Sequence, residues 1–144
     1  MARKKQELSR KTLSGLEEQM RLYPKIPRLK AEALVTAELS REHDVNWWIK
    51  GSRKKSEPPL EALMRKENNK AYQYYDQLEK DIDSTMSGLA PELQKLVRES
   101  FWGENSYYDW GTIGAVYMGV GVGQAYSIRY KILELFALHR GVLF

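Results

Sequence analysis

The chain has 144 residues, enough for one domain or for a small domain with an N-terminal extension, and its apolar share allows a packed core. It contains no cysteine, which excludes disulfides and cysteine-ligated metal, and it has no apolar run long enough for a transmembrane helix. The formal net charge of +4 is unevenly spread: residues 1–60 hold fourteen Lys/Arg against eight Asp/Glu, residues 61–99 hold six against eight, and the remainder is neutral.

The opening, MARKKQELSRK, is basic but has no apolar stretch behind it, so it does not fit a secretory signal. Ser9 is placed to cap a helix with Leu13, Leu16 and Met20 on one face, ending near Tyr23-Pro24. Pro27 suits the first turn of a second helix, with Leu29, Ala33, Leu34 and Ala37 as its apolar side and an end near Asp44. Two short amphipathic helices joined by a Pro-containing turn predict an N-terminal helical hairpin over residues 1–44.

Residues 45–59 read as a basic aromatic linker, with Gly51, Ser52, the run Arg53-Lys54-Lys55 and Pro58-Pro59. Trp47 and Trp48 just before that run either close the hairpin core or form an aromatic anchor with a basic tail. In the second reading Trp48, Lys50, Arg53, Lys54 and Lys55 contact DNA backbone or a partner.

Residues 60–144 form the third expected region. A long helix is predicted from about Leu60 to Met86, where Leu60, Leu63, Glu67, Ala71, Tyr74, Leu78 and Ile82 step by three or four. It either bridges the hairpin to the C-terminal part or contributes to a homodimer interface, although Glu67 within its stripe argues against a strict heptad. After Ser87-Gly88, Pro91 opens a helix carrying Leu93, Leu96, Val97 and Phe101. Trp102, Tyr107 and Tyr108 are expected to cover its junction with the C-terminal helices.

The C-terminal stretch Asp109–Leu138 carries the functional signal. Asp109 is placed to cap a short helix with Trp110, Ile113 and Tyr117 at helical spacing, and Gly114 is small enough to let a second helix cross closely. Gly119, Gly121 and Gly123 suit a turn. A longer helix follows, with Ala125, Ile128, Ile132, Leu135 and Phe136 inward and Gln124, Tyr126, Ser127, Arg129, Tyr130 and Lys131 outward. That is the pattern of a helix-turn-helix, whose second helix lies in the major groove of DNA. Gln124, Ser127 and Arg129 are the candidate base readers, with Tyr126, Tyr130 and Lys131 nearby. Two amphipathic helices that merely pack together satisfy the same spacing. The Gly-Val-Gly-Val-Gly run lacks the preceding strand and following acid of a dinucleotide loop.

No serine has a histidine and an acid placed to activate it, so the chain reads as non-enzymatic. His43 and His139 stand far apart in sequence, and neither a metal nor a cofactor is expected. The segment around the reading helix is nearly uncharged, whereas DNA binders draw much of their affinity from phosphate neutralisation. A basic N-terminal arm acting together with a neutral reader resolves that conflict.

The sequence resembles the small late-transcription activators of phages of Gram-positive bacteria, the RinA/ArpU-like group. The resemblance rests on Leu8-Ser9-Arg10-Lys11-Thr12, Leu16-Glu17 and Tyr23-Pro24, and on a terminal helix-turn-helix similar to region four of sigma factors. It departs from the sigma-like pattern by an extra turn residue and by a valine-glycine turn where a polar cap usually stands. It implies an all-α protein of the bacterial host cytoplasm that binds double-stranded promoter DNA and assists host RNA polymerase at late genes. The other expectation is a phage packaging or assembly adaptor that works through protein–protein contacts on the same helical core.

Overall fold

The structure is a computed structural model that describes residues 7–46 and 69–143 and, of residues 37–46, the backbone alone. The chain is all-α: α1 (Arg10–Arg21), a 3-10 turn (Tyr23–Lys25), α2 (Ile26–Asn46), α3 (Lys70–Gly88), α4 (Pro91–Ser100), α5 (Trp110–Ile113) continuing into a π-helical turn (Gly114–Met118), and α6 (Val122–Arg140). The part of the long helix expected before Lys70, and the basic linker with Trp47, Trp48, Lys50, Arg53, Lys54 and Lys55, lie outside the described residues.

Local chemistry sets the helix starts. The Ser9 hydroxyl accepts the Thr12 N–H at 3.1 Å, and Pro91 opens α4, where its missing N–H costs nothing. Gln94 turns back to donate to the carbonyls of Leu89, just past α3, and of Met86, which the Leu89 N–H also reaches at 3.2 Å.

The chain divides into two compact units, Met1–Pro24 with Leu78–Phe144, and Lys25–Gln77, and the second division falls within α3. In the smaller unit Lys30 of α2 pairs with Asp76 of α3 at 3.0 Å, and Asn69 donates to the Ala33 carbonyl at 3.1 Å. The larger unit differs from the expected partition at residue 44, because α1 belongs with the C-terminal helices and not with α2. The physical reason is long-range: Leu13, Leu16 and Met20 are buried there, Trp102 donates its indole N–H to the Met20 carbonyl at 2.7 Å, and Trp102 stacks on Tyr23.

α6 is the central helix of this unit. Ile132, Leu133, Phe136 and Ala137 are fully buried, and each of the larger three contributes about 2 kcal/mol over an exposed position. Leu135 lies against Gly88 at the end of α3, and Arg140 binds the buried Asp81 carboxylate at 2.8 Å. The expected inward residues of α4 hold their places: Leu96, Val97 and Phe101 are buried and Leu93 is half-buried. Of the aromatics expected at the junction, Trp102 and Tyr108 are half-buried while Tyr107 is exposed. Among the described residues no helix is long and apolar enough to cross a membrane.

Candidate nucleic-acid interface

The unit that presents α6 starts at Asp109, whose carboxylate accepts the Thr112 N–H at 2.8 Å. That hydrogen bond, with a second from the Thr112 hydroxyl, holds the Asp109 carboxyl below its ordinary pKa. Trp110 enters the core beside Phe101 in edge-to-face geometry. The helix widens into a π turn at Gly114–Met118, and Gly119 follows at φ 64°, a left-handed conformation that glycine adopts without a Cβ penalty. Residues Gly119, Val120 and Gly121 alone separate the two helices, a three-residue turn of the length helix-turn-helix units use. The extra residue expected in the turn is taken up by the π turn, which holds one residue more than an α turn.

Close crossing at Gly114 is real. A Cβ built there would lie 2.5 Å from the Ala125 Cβ, so only a hydrogen fits between the helices. Tyr117 ties the π turn to the preceding segment, accepting from the Asn105 amide at 2.6 Å and donating to Glu99 at 3.1 Å.

The six expected reading residues do not act as one face. At about 100° per residue, Gln124, Ser127 and Lys131 fall within about 60° of one another, and all three are exposed. Tyr126 is 51% exposed on the other flank. The outward orientation expected of Arg129 is corrected: its Nε donates to Glu17 Oε1 of α1 at 2.7 Å, and its side chain is only 15% exposed. Tyr130 is also turned towards α1, where its hydroxyl accepts the Leu8 N–H at 3.1 Å. Their polarity suggested the solvent side, yet Arg129 lies four residues from both Ala125 and Leu133, and Tyr130 three from Leu133 and seven from Ala137, all of them buried.

Glu17 joins three elements. Its Oε1 accepts from Arg129 and, at 2.8 Å, from the Trp110 indole, while Oε2 accepts from Arg21 at 3.1 Å. Burial pushes this carboxyl up, but the hydrogen bonds from Arg129 and Trp110 and the two guanidinium charges outweigh it, so Glu17 sits below its ordinary value of 4.5. It is ionised at neutral pH and fixes α1 to both helices of the reading unit.

The residues that sequence reasoning missed are Glu17 as this anchor and Arg10 and Lys11 as neighbours of α6. Both cations are exposed, and they lie within one turn of the Leu8–Tyr130 contact. The Glu17–Arg21 spacing is a legible local pair, but nothing local marks Arg129 as the third member. Tertiary folding thus brings two exposed cations close to Tyr130 of α6, a helix whose exposed face is nearly neutral. Among the described residues no cluster of three or more His, Cys, Asp or Glu could hold a metal ion. His139 is exposed near the end of α6, and the His43 side chain lies outside the described residues.

Compared with known proteins, the chain matches no family model, no curated protein and no solved structure.

Proposed function

We propose that this chain is a non-enzymatic DNA-binding activator, which binds double-stranded promoter DNA through α6 and assists bacterial RNA polymerase in phage late transcription. The observation that carries the DNA reading is the presentation of Gln124, Ser127 and Lys131 on one exposed face, behind a three-residue turn and a crossing at Gly114 too close for any side chain. Arg10 and Lys11, exposed at the start of α1 close to the Leu8–Tyr130 contact, add to the same unit part of the phosphate attraction that α6 lacks. The polymerase and late-gene parts of the proposal rest on the resemblance of the Leu-Ser-x-x-Thr, Leu-Glu and Tyr-Pro residues to phage activators.

The test is fluorescence anisotropy of duplexes from a phage late-promoter region against shuffled duplexes, at two salt concentrations, with and without bacterial RNA polymerase. Preference for the promoter duplex, strengthened by polymerase, is the expected result. Equal, weak binding to both duplexes refutes the reading. A second reading, a phage assembly adaptor, is favoured by Val116 and Val122, which are 57% and 59% exposed on the same unit and suit a protein surface. A stable ring in solution, measured by mass, would support that alternative.

A further inference from the structure

α6 offers a restricted chemistry to base edges. Through its first two turns the exposed polar side chains on this face are Gln124 and Ser127, while Val122 and Tyr126 are exposed on the opposite side of the helix. Guanine is read chiefly by a bidentate Arg or Lys at O6 and N7, and adenine by Gln or Asn at N6 and N7. The single arginine near these turns, Arg129, is committed to Glu17 at 2.7 Å. Releasing it would leave the largely buried Glu17 carboxylate with only Arg21 and the Trp110 N–H as donors. Lys131 lies about 10 Å further along the helix than Gln124, at the distance of the phosphates flanking the first bases contacted. Lys131, Arg10 and Lys11 pair with no carboxylate among the described residues, which leaves three cations to complement a phosphate backbone. Glu134, three residues beyond Lys131, marks the end of the face that tolerates DNA.

We infer, on the reading that α6 enters a DNA major groove, that the helix selects A·T base pairs. Gln124 takes adenine N6 and N7. Guanine is not read, because Arg129 is held by α1 and Lys131 lies about 10 Å along the helix from Gln124, at the phosphates. Ser127 serves either base pair and adds no discrimination.

The experiment uses the full chain and a randomised duplex pool of about 20 base pairs, the span of two helical turns. Retained duplexes are sequenced after repeated selection. The best duplex is then compared by anisotropy with versions carrying 7-deazaadenine for adenine or uracil for thymine. Both changes act in the major groove, which separates direct reading from the narrow minor groove of A-tracts. The expected result is enriched A·T pairs, a loss of about tenfold with 7-deazaadenine and little change with uracil. Gln124→Ala, at an exposed position where folding is retained, should erase the 7-deazaadenine penalty. Arg129→Lys, checked for folding by circular dichroism, should leave the enriched sequence unchanged. Invariant G·C pairs at positions that Gln124→Ala alters would overturn the inference, as would indifference to 7-deazaadenine. Retention of the pool without enrichment overturns it while leaving DNA binding intact. Retention of no duplex at low salt overturns both this inference and the DNA-binding function beneath it.

Discussion

Replacing Gly114 by alanine tests the crossing on which the reading unit depends. The added methyl would sit 2.5 Å from the Ala125 Cβ and 3.3 Å from both the Ala125 Cα and the Val120 Cγ2. Carbon atoms pack at about 3.5–4.0 Å, so the helices must part by about an ångström. Overpacking of this kind costs about 1–3 kcal/mol. Against it stands a gain of about 1 kcal/mol, because Gly114 has ordinary helical angles (φ −61°, ψ −43°) and alanine is the better helix former there. The clash wins, because a 2.5 Å approach to a residue with no long flexible side chain sits at the upper end of that range, about 2–3 kcal/mol, and the expected net loss is about 1–2 kcal/mol. Urea unfolding followed by circular dichroism reads this as a lower midpoint at unchanged slope. The same substitution in an Ala125→Gly background should cost nothing, giving a coupling of at least about 1 kcal/mol in the double-mutant cycle. A Gly114→Ala protein as stable as the parent would refute the close crossing.

Glu17→Ala removes the shared acceptor of Arg129, Arg21 and Trp110. The expected loss is about 2 kcal/mol, below the cost of breaking a fully buried pair because Glu17 and Arg129 keep some solvent access; a loss under about 0.5 kcal/mol would show the pair to be decorative. Because the folded state holds Glu17 more acidic than the unfolded chain does, its contribution is complete above pH 4.5 and is lost as pH falls through the lower folded value. Acid titration of the parent and of Glu17→Gln should therefore converge below that window, and parallel curves would contradict the assignment. Tyr23 behaves oppositely: its hydrogen bond to Asp83, with burial and nearby carboxylates, pushes it from 10.0 up to about 12, so its contribution is present below pH 10 and lost as pH rises towards 12. Tyr23→Phe should flatten that alkaline loss. Arg10→Gln and Lys11→Gln should each reduce the salt slope of DNA binding by about one, without altering sequence preference; an unchanged slope would remove α1 from the interface.

Much of the helical framework was legible because its causes are local. Ser9 and Asp109 cap their helices through an N–H three residues on, Pro91 opens α4, and Gly119 takes the positive φ of the turn. The need for a very small residue at Gly114 also follows from short-range spacing, since helices joined by a brief turn must cross near it. The inward stripe of α6 was read from period alone, and Ala125, Ile132 and Phe136 are buried as it requires, with Ile128 and Leu135 half-buried.

Period does not reveal which flank of a helix another element covers. Period sets Arg129 and Tyr130 against buried Leu133 and Ala137 despite their polarity, and only the return of α1 from the far end of the chain supplies their partners there. The Arg129–Glu17 bond joins residues 112 positions apart, and Leu8 meets Tyr130 across 122. A charge has no sequence signature for its partner at that separation, because the pairing energy exists only once hydrophobic burial has brought Leu13, Leu16 and Met20 of α1 into the core with α6. The sequence by itself therefore determined the helices, their caps and the turn that presents α6. The tertiary structure decided that α1 holds Arg129 and Tyr130, and it brought Leu8, with the exposed Arg10 and Lys11 just after it, to a helix that carries little charge of its own.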